Sequence, residues 1–445
     1  MNAAAELEGN LHIGRDDFAL ARVPEAERRH WFVICLQRWG QLSALSQFLL
    51  GATLGFGMDL WPAFWAFTLG AVILEIVGIF TGIAGMREGL NTSLLTRWTG
   101  FGRIGSSLLG LIITISLMGW FGVQNAVFAS GIDSLLPHLL PLWAWQILTG
   151  AAVILIVIWG FLSMSWTAYV TVPAFVLLCF YSIGVAFTQH PLGQLLGSPH
   201  PGPALTIPAG ATLVAGGFIV GAVITPDMSR FNRSAADVVK QTIAGFTLGE
   251  YTIGMIGVLL AHAVKTSNVI GIVTTTSGAI GVVILIVATL KINDWNLYSG
   301  SLGLANFIDT LSGHRIHRGL LTLVVGIVGT LLSALGILQH FVGFLTLLGV
   351  AFPPVASIMV IDYFVLKTHR RQLAASAAQG GAIPARVPAW NPVGLVSWLV
   401  GSVAGWYLQW GIGSVNALVI AAIVYFLLSK AVAMVSRPQA REAAA

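Results

Sequence analysis

The sequence predicts an all-α, polytopic membrane protein with twelve transmembrane helices. Hydrophobic residues make up 56% of the 445 residues and charged residues only 9%, whereas a soluble domain carries roughly 25% charged residues. A transmembrane helix needs ~20 mainly apolar residues, and stretches of that kind cover almost the whole chain. This composition leaves no room for a soluble catalytic domain.

The apolar stretches divide into twelve expected spans. Their limits are 31–57, 60–86, 104–131, 139–162, 165–188, 208–226, 241–263, 269–296, 319–338, 341–366, 392–410 and 412–434. If both termini lie in the cytoplasm, all of the 22 Lys and Arg residues except Lys265 and Lys291 fall on the inner side. Cytoplasmic loops carry such an excess of positive charge. The net charge of +5 is therefore explained by orientation, and we expect no nucleic-acid partner.

The spans group into five segments of the chain. The segments are a cytoplasmic N-terminal tail (1–30), a first five-helix repeat (31–188), a second (208–366), two additional transmembrane helices (392–434) and a cytoplasmic C-terminal tail (435–445). The polar start does not have the basic-then-apolar layout of a cleaved signal peptide. We expect the protein to lie in the inner membrane of a bacterium.

Two spans carry residues that interrupt helices. Span one has a polar run followed by glycines, and span six is crowded with glycine and proline. These residues are Ser43, Ser46, Gln47, Gly51, Gly55 and Gly57 in span one, and Pro208, Gly210, Gly216, Gly217, Gly221 and Pro226 in span six. Unwound backbone is tolerated in a membrane only where it is buried in protein or lines a cavity. Because spans one and six begin successive five-helix blocks, paired breaks predict an inverted-repeat transporter with its site at the midplane. The alternative is that the glycines only allow close helix packing.

Charged and amide residues lie together at the predicted inner end of span eight. Lys291 and Asp294 are three residues apart and share one helical face, where an ion pair would lower the cost of both charges. Thr289, Asn293 and Asn296 continue the polar character. Ionisable groups inside a membrane are functional candidates by default, and for Asp294 and Asn296 a structural role is the alternative.

Two further motifs suit a flat ligand. Trp120 and Gln124 are four residues apart on span three, which places an aromatic ring beside an amide that both donates and accepts hydrogen bonds. In span six, Gly216 and Gly217 precede Phe218 and would let backbone approach a ligand. Packing is the alternative for Phe218, and interfacial anchoring is the alternative for Trp120.

The remaining glutamate, cysteine and histidine residues give little support for disulfide, metal or nucleotide chemistry. Glu75 and Glu250 lie within spans and suit either proton handling or hydrogen bonds between helices. Cys35 and Cys179 fall in apolar segments, so a disulfide framework is not expected. The histidines show no metal-ligand spacing, and no glycine-rich phosphate loop is followed by Lys and Ser or Thr. We therefore expect no metal, no cofactor and no nucleotide hydrolysis.

Several runs of residues resemble the nucleobase cation symporter family, also called the purine/cytosine permease family, and within it the bacterial cytosine permeases. The runs are Gly-Trp-Phe-Gly-Val at 119–123, Pro-Asp-Met-Ser-Arg-Phe-Asn-Arg at 226–233, Asn-Asp-Trp-Asn-Leu-Tyr-Ser-Gly-Ser-Leu-Gly-Leu-Ala-Asn at 293–306, Phe-Val-Gly-Phe-Leu-Thr at 341–346, and Pro-Pro-Val with Asp362-Tyr363 behind it. They follow the family's order along most of the chain.

The resemblance implies a LeuT-like fold of two inverted five-helix repeats plus two C-terminal helices. It implies that a planar base stacks between Trp120 and Phe218, and that Gln124 grips it. Gly216, Gly217, Gln47 and Asn293 complete the substrate-binding set that we expect.

The resemblance also implies a cation site, where this sequence departs from the family. Carbonyls of the broken first helix, here near Ala44 and Gln47, and two hydroxyls on helix eight hold sodium in the family. Lys291 and Ile292 align with those hydroxyls, and a hard cation needs oxygen ligands. We therefore hypothesise that Lys291 stands in for sodium, with Asn293 and Asp294 beside it. We also hypothesise that a proton, taken up and released by Lys291, is the coupling ion rather than sodium. The polar base ligands of the cytosine permeases are replaced by Leu117, Gly217 and Ala288, which leaves the choice of base open.

The leading interpretation is a permease, acting as a monomer in the lipid bilayer, that imports a nucleobase or related planar heterocycle by alternating access. The alternatives are a sodium-coupled symporter for hydantoin, allantoin or a vitamin-type heterocycle, a transporter-like receptor and a membrane enzyme. Membrane enzymes acting on lipids show clustered Asp, His or Arg at the membrane surface, which this chain lacks. We therefore expect no enzymatic activity.

Overall fold

The computed structural model describes residues 18, 21–159, 164–314, 316–379, 381, 383–408 and 410–442, with the side chains of 159, 164–170 and 436–442 left out of the description. Regular structure in these ranges is helical, apart from one bridge between Arg29 and Asn232. Most of the predicted N-terminal tail, the end of the predicted fourth span (160–162) and residues 443–445 lie outside the described residues.

The helices follow one another with short connections. We number them α1 (Trp31–Leu42), α2 (Leu45–Gly57), α3 (Leu60–Glu88), α4 (Thr92–Leu95), α5 (Gly102–Leu135), α6 (Leu142–Trp159), α7 (Met164–Gln189), α8 (Leu192–Leu196), α9 (Ile207–Val223), α10 (Pro226–Ser229), α11 (Ala235–Val264), α12 (Val269–Ser312), α13 (Arg318–Ala334), α14 (Phe341–Ala351), α15 (Pro353–Val360), α16 (Arg370–Ala378), α17 (Pro392–Tyr407) and α18 (Gly413–Glu442). A π-helical turn at Ile361–Leu366 extends α15.

Seven of the described helical segments are long and apolar enough to cross a membrane, and four shorter apolar helices accompany them. The first span is made of α1 and α2 together, and the tenth of α14, α15 and the π-helical turn. We refer to the two sides of the membrane by the residues found there, as the Arg22 side and the Lys265 side.

The first span is broken within the predicted polar run, and Ala44 at the break lies seven residues before Gly51, the first of the predicted glycines. Helix α1 ends at Leu42, Ser43 and Ala44 leave helical geometry, and α2 starts at Leu45. Gly51 and Gly55 are helical. A Cβ on Gly51 would lie 2.1 Å from the Gly254 carbonyl oxygen, so these glycines allow α2 to pack against α11, as the alternative interpretation held.

The break in the sixth span lies at its end instead of its middle. Helix α9 runs without interruption through Gly210, Gly216, Gly217 and Gly221 to Val223, and a turn leads to the short helix α10. The glycines allow neighbouring helices to approach α9 closely. A Cβ on Gly216, for example, would lie 2.0 Å from the Leu345 carbonyl oxygen on α14. The prediction of a mid-membrane break in this span is therefore wrong.

The eighth span is longer than predicted. Gly278 has φ 60° and ψ −157° inside α12, which separates a short helix from a long one that continues to Ser312. Because the span runs 16 residues past the predicted limit of 296, the polar segment 291–298 lies near its middle. The prediction that Asp294 and Asn296 lie near an end of the span is wrong, since the helix continues through residues that appeared to be a loop.

Helix α5 lies along α12 in the centre of the fold. A Cβ on Gly303 of α12 would lie 2.4 Å from Thr114 Oγ1 of α5, and that hydroxyl donates a 3.0 Å hydrogen bond to the Gly300 carbonyl. Small residues allow such close approach between membrane helices. This contact fixes Trp120 and Gln124 on α5 relative to the polar segment of α12.

Candidate substrate and coupling site

The break in the first span places backbone polar groups inside the membrane. Ala44 is extended, with φ −138° and ψ 162°, and no side chain caps α2. The Ala44 carbonyl accepts hydrogen bonds from the Gln47 and Phe48 amides at 3.0 and 3.3 Å. Ser43 Oγ is buried and has no hydrogen-bond partner among the described residues. The positive end of the α2 dipole therefore lies next to this break.

Trp120 faces protein, as the sequence predicted for a binding residue. Its side chain is 8% exposed and contacts two phenylalanines of α14 edge-on, with ring centroids 5.4 Å from Phe344 and 6.0 Å from Phe341. Edge-to-face pairs at such distances are favourable and fix the indole plane. Gly119 makes room for this arrangement, because a Cβ there would lie 2.4 Å from Phe344.

Sequence reasoning missed the two phenylalanines as parts of the site. Phe341 and Phe344 belong to a run that carried the family resemblance, and their spacing of three puts them on one face of a helix. That spacing signals an aromatic face. It does not say which distant helix the face meets.

Gln124 lies one helical turn beyond Trp120 and is buried, with 3% exposed. Its Oε1 atom is buried and accepts no hydrogen bond from any described residue. The neighbouring Asn125 is different, because its amide donates to the Gln146 carbonyl at 2.8 Å and its oxygen accepts from Thr149 at 2.9 Å. Buried polar atoms normally have a partner, so Gln124 is the amide on this helix that is left to bind something else.

The structure does not bring Phe218 against Trp120. Phe218 is partly buried and packs edge-on against Phe246 of α11, with centroids 5.6 Å apart. No ring contact joins it to Trp120 in the described part of the chain. The predicted clamp holds a base between the two rings and requires no direct contact between them, so it stays a prediction.

The two glycines before Phe218 differ in their surroundings. Gly216 is buried against the α14 backbone, as described above. Gly217 is partly exposed, and a Cβ there would lie 3.0 Å from a methyl group of Leu50 on α2. Of the pair, Gly217 is therefore the one with backbone accessible between α9 and α2.

The polar segment of α12 presents amides inward. Asn293 is fully buried, and neither polar atom of its side chain has a hydrogen-bond partner among the described residues. Asn296 Nδ2 and Asp294 Oδ1 are likewise buried without one. Together with Gln124, these groups are unmatched polar atoms on two helices that pack against each other.

Lys291 lies on the same helix and is less buried than Asn293 and Asp294. It is partly buried, and its neighbours one turn away on either side, Val287 and Trp295, are 43% and 58% exposed. Within the described residues it forms no ion pair with Asp294 and no hydrogen bond to Ala44 or Gln47. The predicted Lys291–Asp294 pair is thus not formed, because spacing of three on a helix permits contact without enforcing it.

Gln47 is engaged with a neighbour instead of being left open. Its Nε2 donates a hydrogen bond to Glu250 Oε2 of α11, and both side chains are buried. Sequence reasoning identified Gln47 and Glu250 separately and gave no signal that they pair.

A separate polar contact lies on the Lys265 side. Asp59 precedes α3, and its Oδ1 accepts hydrogen bonds from the His200 backbone at 2.9 Å and meets His200 Nδ1 at 2.8 Å. These hydrogen bonds lower the pKa of the Asp59 carboxyl. The pair joins the start of α3 to the loop before α9.

A small cavity of about 80 Å³ lies on the Arg22 side. Hydroxyl groups and one carboxyl contribute to its lining, from Thr92, Ser93, Thr96, Ser106 and Asp227. A water molecule takes about 30 Å³, so this space suits water and is too small for a heterocycle.

The fold defines a class of protein, a polytopic helical membrane protein. Two structures of Mhp1 share this LeuT-like fold. The inward-facing conformation matches with a TM-score of 0.79 and 20% identity, covering 93% of each chain. A closed conformation of Mhp1, a nucleobase-cation-symport-1 family transporter with bromovinylhydantoin bound, matches with a TM-score of 0.72 and 21% identity over 94% of this chain and 96% of the other.

Sequence comparison gives the family. Residues 22–428 match the family described as permeases for cytosine/purines, uracil, thiamine and allantoin, and the chain belongs to that family. The cytosine permease of Escherichia coli K12 is 28% identical over 93% of this chain and 94% of its own length. The hydantoin permease of Microbacterium maritypicum is 23% identical over 77% of this chain and 73% of its own. The predicted family, fold class and absence of enzymatic function are confirmed, and the protein is a multi-pass membrane permease.

Proposed function

We propose that this chain imports a nucleobase or a related planar heterocycle by alternating access. The observation that carries this proposal is the unmatched Gln124 oxygen one turn from the buried Trp120 ring. A planar heterocycle has a flat apolar face and a polar edge, and these two residues supply one partner for each. The names of the relatives, cytosine permease and hydantoin permease, point to the same class of substrate.

The proposed setting is the bacterial inner membrane, with the Arg22 side in the cytoplasm. The supporting observation is the distribution of Lys and Arg given above. In this orientation both termini are cytoplasmic and Lys265 faces the outside. We propose a monomer as the functional unit, since the unmatched polar groups lie within one chain.

The proposed coupling ion is the proton, with transport independent of sodium. Lys291 stands where the resemblance puts one of two sodium-binding hydroxyls, and a positive side chain there repels a cation. Of the groups predicted to handle the proton, Lys291 is partly exposed and Glu250 is fully buried, so we assign to Lys291 only the exclusion of sodium. A sodium-coupled cycle is the second candidate, favoured by the absence of a hydrogen bond between Lys291 and the described backbone of the first-helix break.

One experiment tests substrate class and coupling ion together. The purified protein is screened by thermal shift against pyrimidines, purines, hydantoins, allantoin and thiamine, and each compound that binds is then assayed for uptake into proteoliposomes in sodium and in choline buffer. We expect a planar heterocycle to be accumulated equally in both buffers under an inward proton gradient. Strong stimulation by sodium would refute the proposed coupling, and binding without uptake would indicate a receptor.

A further inference from the structure

A carboxylic acid is buried beside the first-helix break. Glu250 lies at the middle of α11 and is fully buried. One residue earlier, a Cβ on Gly249 would lie 2.4 Å from Leu42, the last residue of α1. Four residues later, the Gly254 carbonyl approaches Gly51 of α2. Glu250 is thus on the part of α11 that packs across the break.

The contacts of Glu250 do not balance a negative charge. Oε2 accepts a hydrogen bond from Gln47, and Oε1 is buried without a hydrogen-bond partner among the described residues. No described Lys, Arg or His forms an ion pair with it. Burial of a charged carboxylate is unfavourable, and one neutral donor does not offset that cost, so the neutral acid is favoured.

A second carboxyl lies close by. Glu75, at the middle of α3, accepts a 2.8 Å hydrogen bond from Thr247, which is one turn before Glu250 on α11. Because Thr247 and Glu250 are three residues apart and share one face of α11, the Glu75 carboxyl lies on the side of α11 that Glu250 occupies. Like charges that share a site disfavour the doubly ionised state, so the pair retains a proton.

Other charged groups next to α11 point elsewhere. Arg38 of α1 donates to the Gly221 carbonyl at 3.0 Å and to Thr225 at 3.2 Å, and lies over the Phe246 ring. Helix α2 contributes only the amide of Gln47. The described residues of α7 and α12 bring no charged group within ion-pair distance of Glu250. Glu75 is therefore the charged neighbour that influences the protonation of Glu250.

We propose that Glu250 binds the coupling proton, in a reversible step in which its carboxylate takes up one proton from water on one side and releases it on the other. This inference rests on the proposed function. Gln47 is in the first turn of α2, three residues after Ala44, so its hydrogen bond connects the acid to the broken helix. Loss of the proton leaves a negative charge facing the Gln47 donor and the positive end of α2, which strengthens the contact. Protonation weakens it and changes the balance between conformations of the break.

The test is gradient-driven uptake by full-length variants in proteoliposomes, with radiolabelled cytosine, uracil, hydantoin and allantoin as probes. Glu250→Gln keeps the shape of the side chain and cannot release a proton. We expect it to lose accumulation driven by a proton gradient while retaining exchange of labelled for unlabelled probe. Glu250→Asp restores an acid and should recover accumulation, and Glu25→Gln, the matched control at an exposed glutamate before α1, should retain it. Wild-type accumulation by Glu250→Gln would overturn the proposal.

A second measurement does not depend on transport. Infrared titration of the purified protein in lipid detects protonated carboxyl groups, and we expect a carboxyl band in the wild type at neutral pH that disappears on alkaline titration and is absent from Glu250→Gln. If no probe is transported by the wild type, the proposed function fails, and this titration still decides the state of Glu250. A spectrum unchanged by Glu250→Gln would overturn the inference.

Discussion

At the scale of single residues, the unmatched oxygen of Gln124 predicts that a substitution there weakens ligand binding without reducing the stability of the protein. Replacing Gln124 with Leu keeps the approximate volume and removes a buried polar atom that has no partner, so the protein should lose no thermal stability. A hydrogen bond to a ligand edge would be lost, which we expect to weaken binding by about 1–2 kcal/mol, or roughly 5- to 30-fold. Thermal unfolding and equilibrium binding of the screened heterocycle measure the two effects.

Asn125→Leu is the matched control for this prediction. Asn125 is also buried, and it bonds Gln146 and Thr149 of α6. Its replacement should lower the melting temperature, because the carbonyl of Gln146 and the hydroxyl of Thr149 lose partners. A stability loss for Gln124→Leu as large as that for Asn125→Leu would show that Gln124 is structural.

The residues that could be predicted are those whose neighbours lie on the same helix. The placement of Trp120 and Gln124 on one face of α5 follows from their spacing of four residues. Phe344 could not be assigned, because its contact with Trp120 depends on how α14 crosses α5. The missing Lys291–Asp294 ion pair has the same origin, because a spacing of three on a helix permits contact and does not enforce it.

At the scale of elements, α2 and α11 are held together by glycine. We predict that Gly51→Ala destabilises the protein by about 1–3 kcal/mol, the usual cost of overpacking, because the added Cβ would meet the Gly254 carbonyl. Gly40→Ala in α1 is the control, since a Cβ there meets nothing within 4 Å and Ala favours helix. Melting temperatures in detergent compare them, and equal stability of the two variants would contradict the close contact.

The segment before α1 is tied to two other elements by Arg22. Its guanidinium pairs with Glu88 at the end of α3 at 3.0 Å and donates to Leu373 and Ser376 of α16, and Tyr363 donates to Glu88 at 2.7 Å. Both charged side chains are almost fully buried. Arg22→Ala should therefore cost about 3–5 kcal/mol, because it leaves Glu88 buried without its counter-charge.

Thermal unfolding measures this loss against Arg371→Ala, which changes an exposed arginine of α16. The exposed replacement should have little effect. If Arg22→Ala is as stable as Arg371→Ala, the tie contributes nothing to the fold.

Element breaks could be located only in part. The polar run at Ser43 marked the first break correctly, but the glycines around it proved to be packing residues. In the sixth span the same residue type suggested a break that packing against α14 abolishes. Glycine permits either a helix break or close helix packing. Which of the two occurs depends on whether a neighbouring helix packs against the glycine.

At the scale of the whole molecule, the distribution of positive charge predicts orientation. Cys35 and Cys179 are buried, so introduced cysteines can be labelled selectively. Lys265→Cys should react with a membrane-impermeant maleimide in intact cells, and Lys240→Cys only after the membrane is opened. The reverse pattern would place the Arg22 side outside.

The fold class followed from composition because a bilayer restricts a chain to a few architectures. The lengths of the apolar stretches predicted the membrane spans, and the motifs shared with the family predicted how the spans are arranged in the fold. The adopted conformation did not follow from the composition, and the packing of Phe218 against Phe246 is one contact that the pattern did not indicate. A transporter sequence encodes several packings of one fold, and its pattern does not say which of them is adopted.

The central claim is that a flat heterocycle binds on Trp120, and equilibrium binding to purified Trp120→Ala tests it most directly. Trp295→Ala, which removes an exposed indole from α12, is the matched control. We predict that Trp120→Ala remains folded and loses measurable affinity for the heterocycle, while Trp295→Ala binds as the unaltered protein does. Unchanged affinity in a folded Trp120→Ala protein would contradict the account.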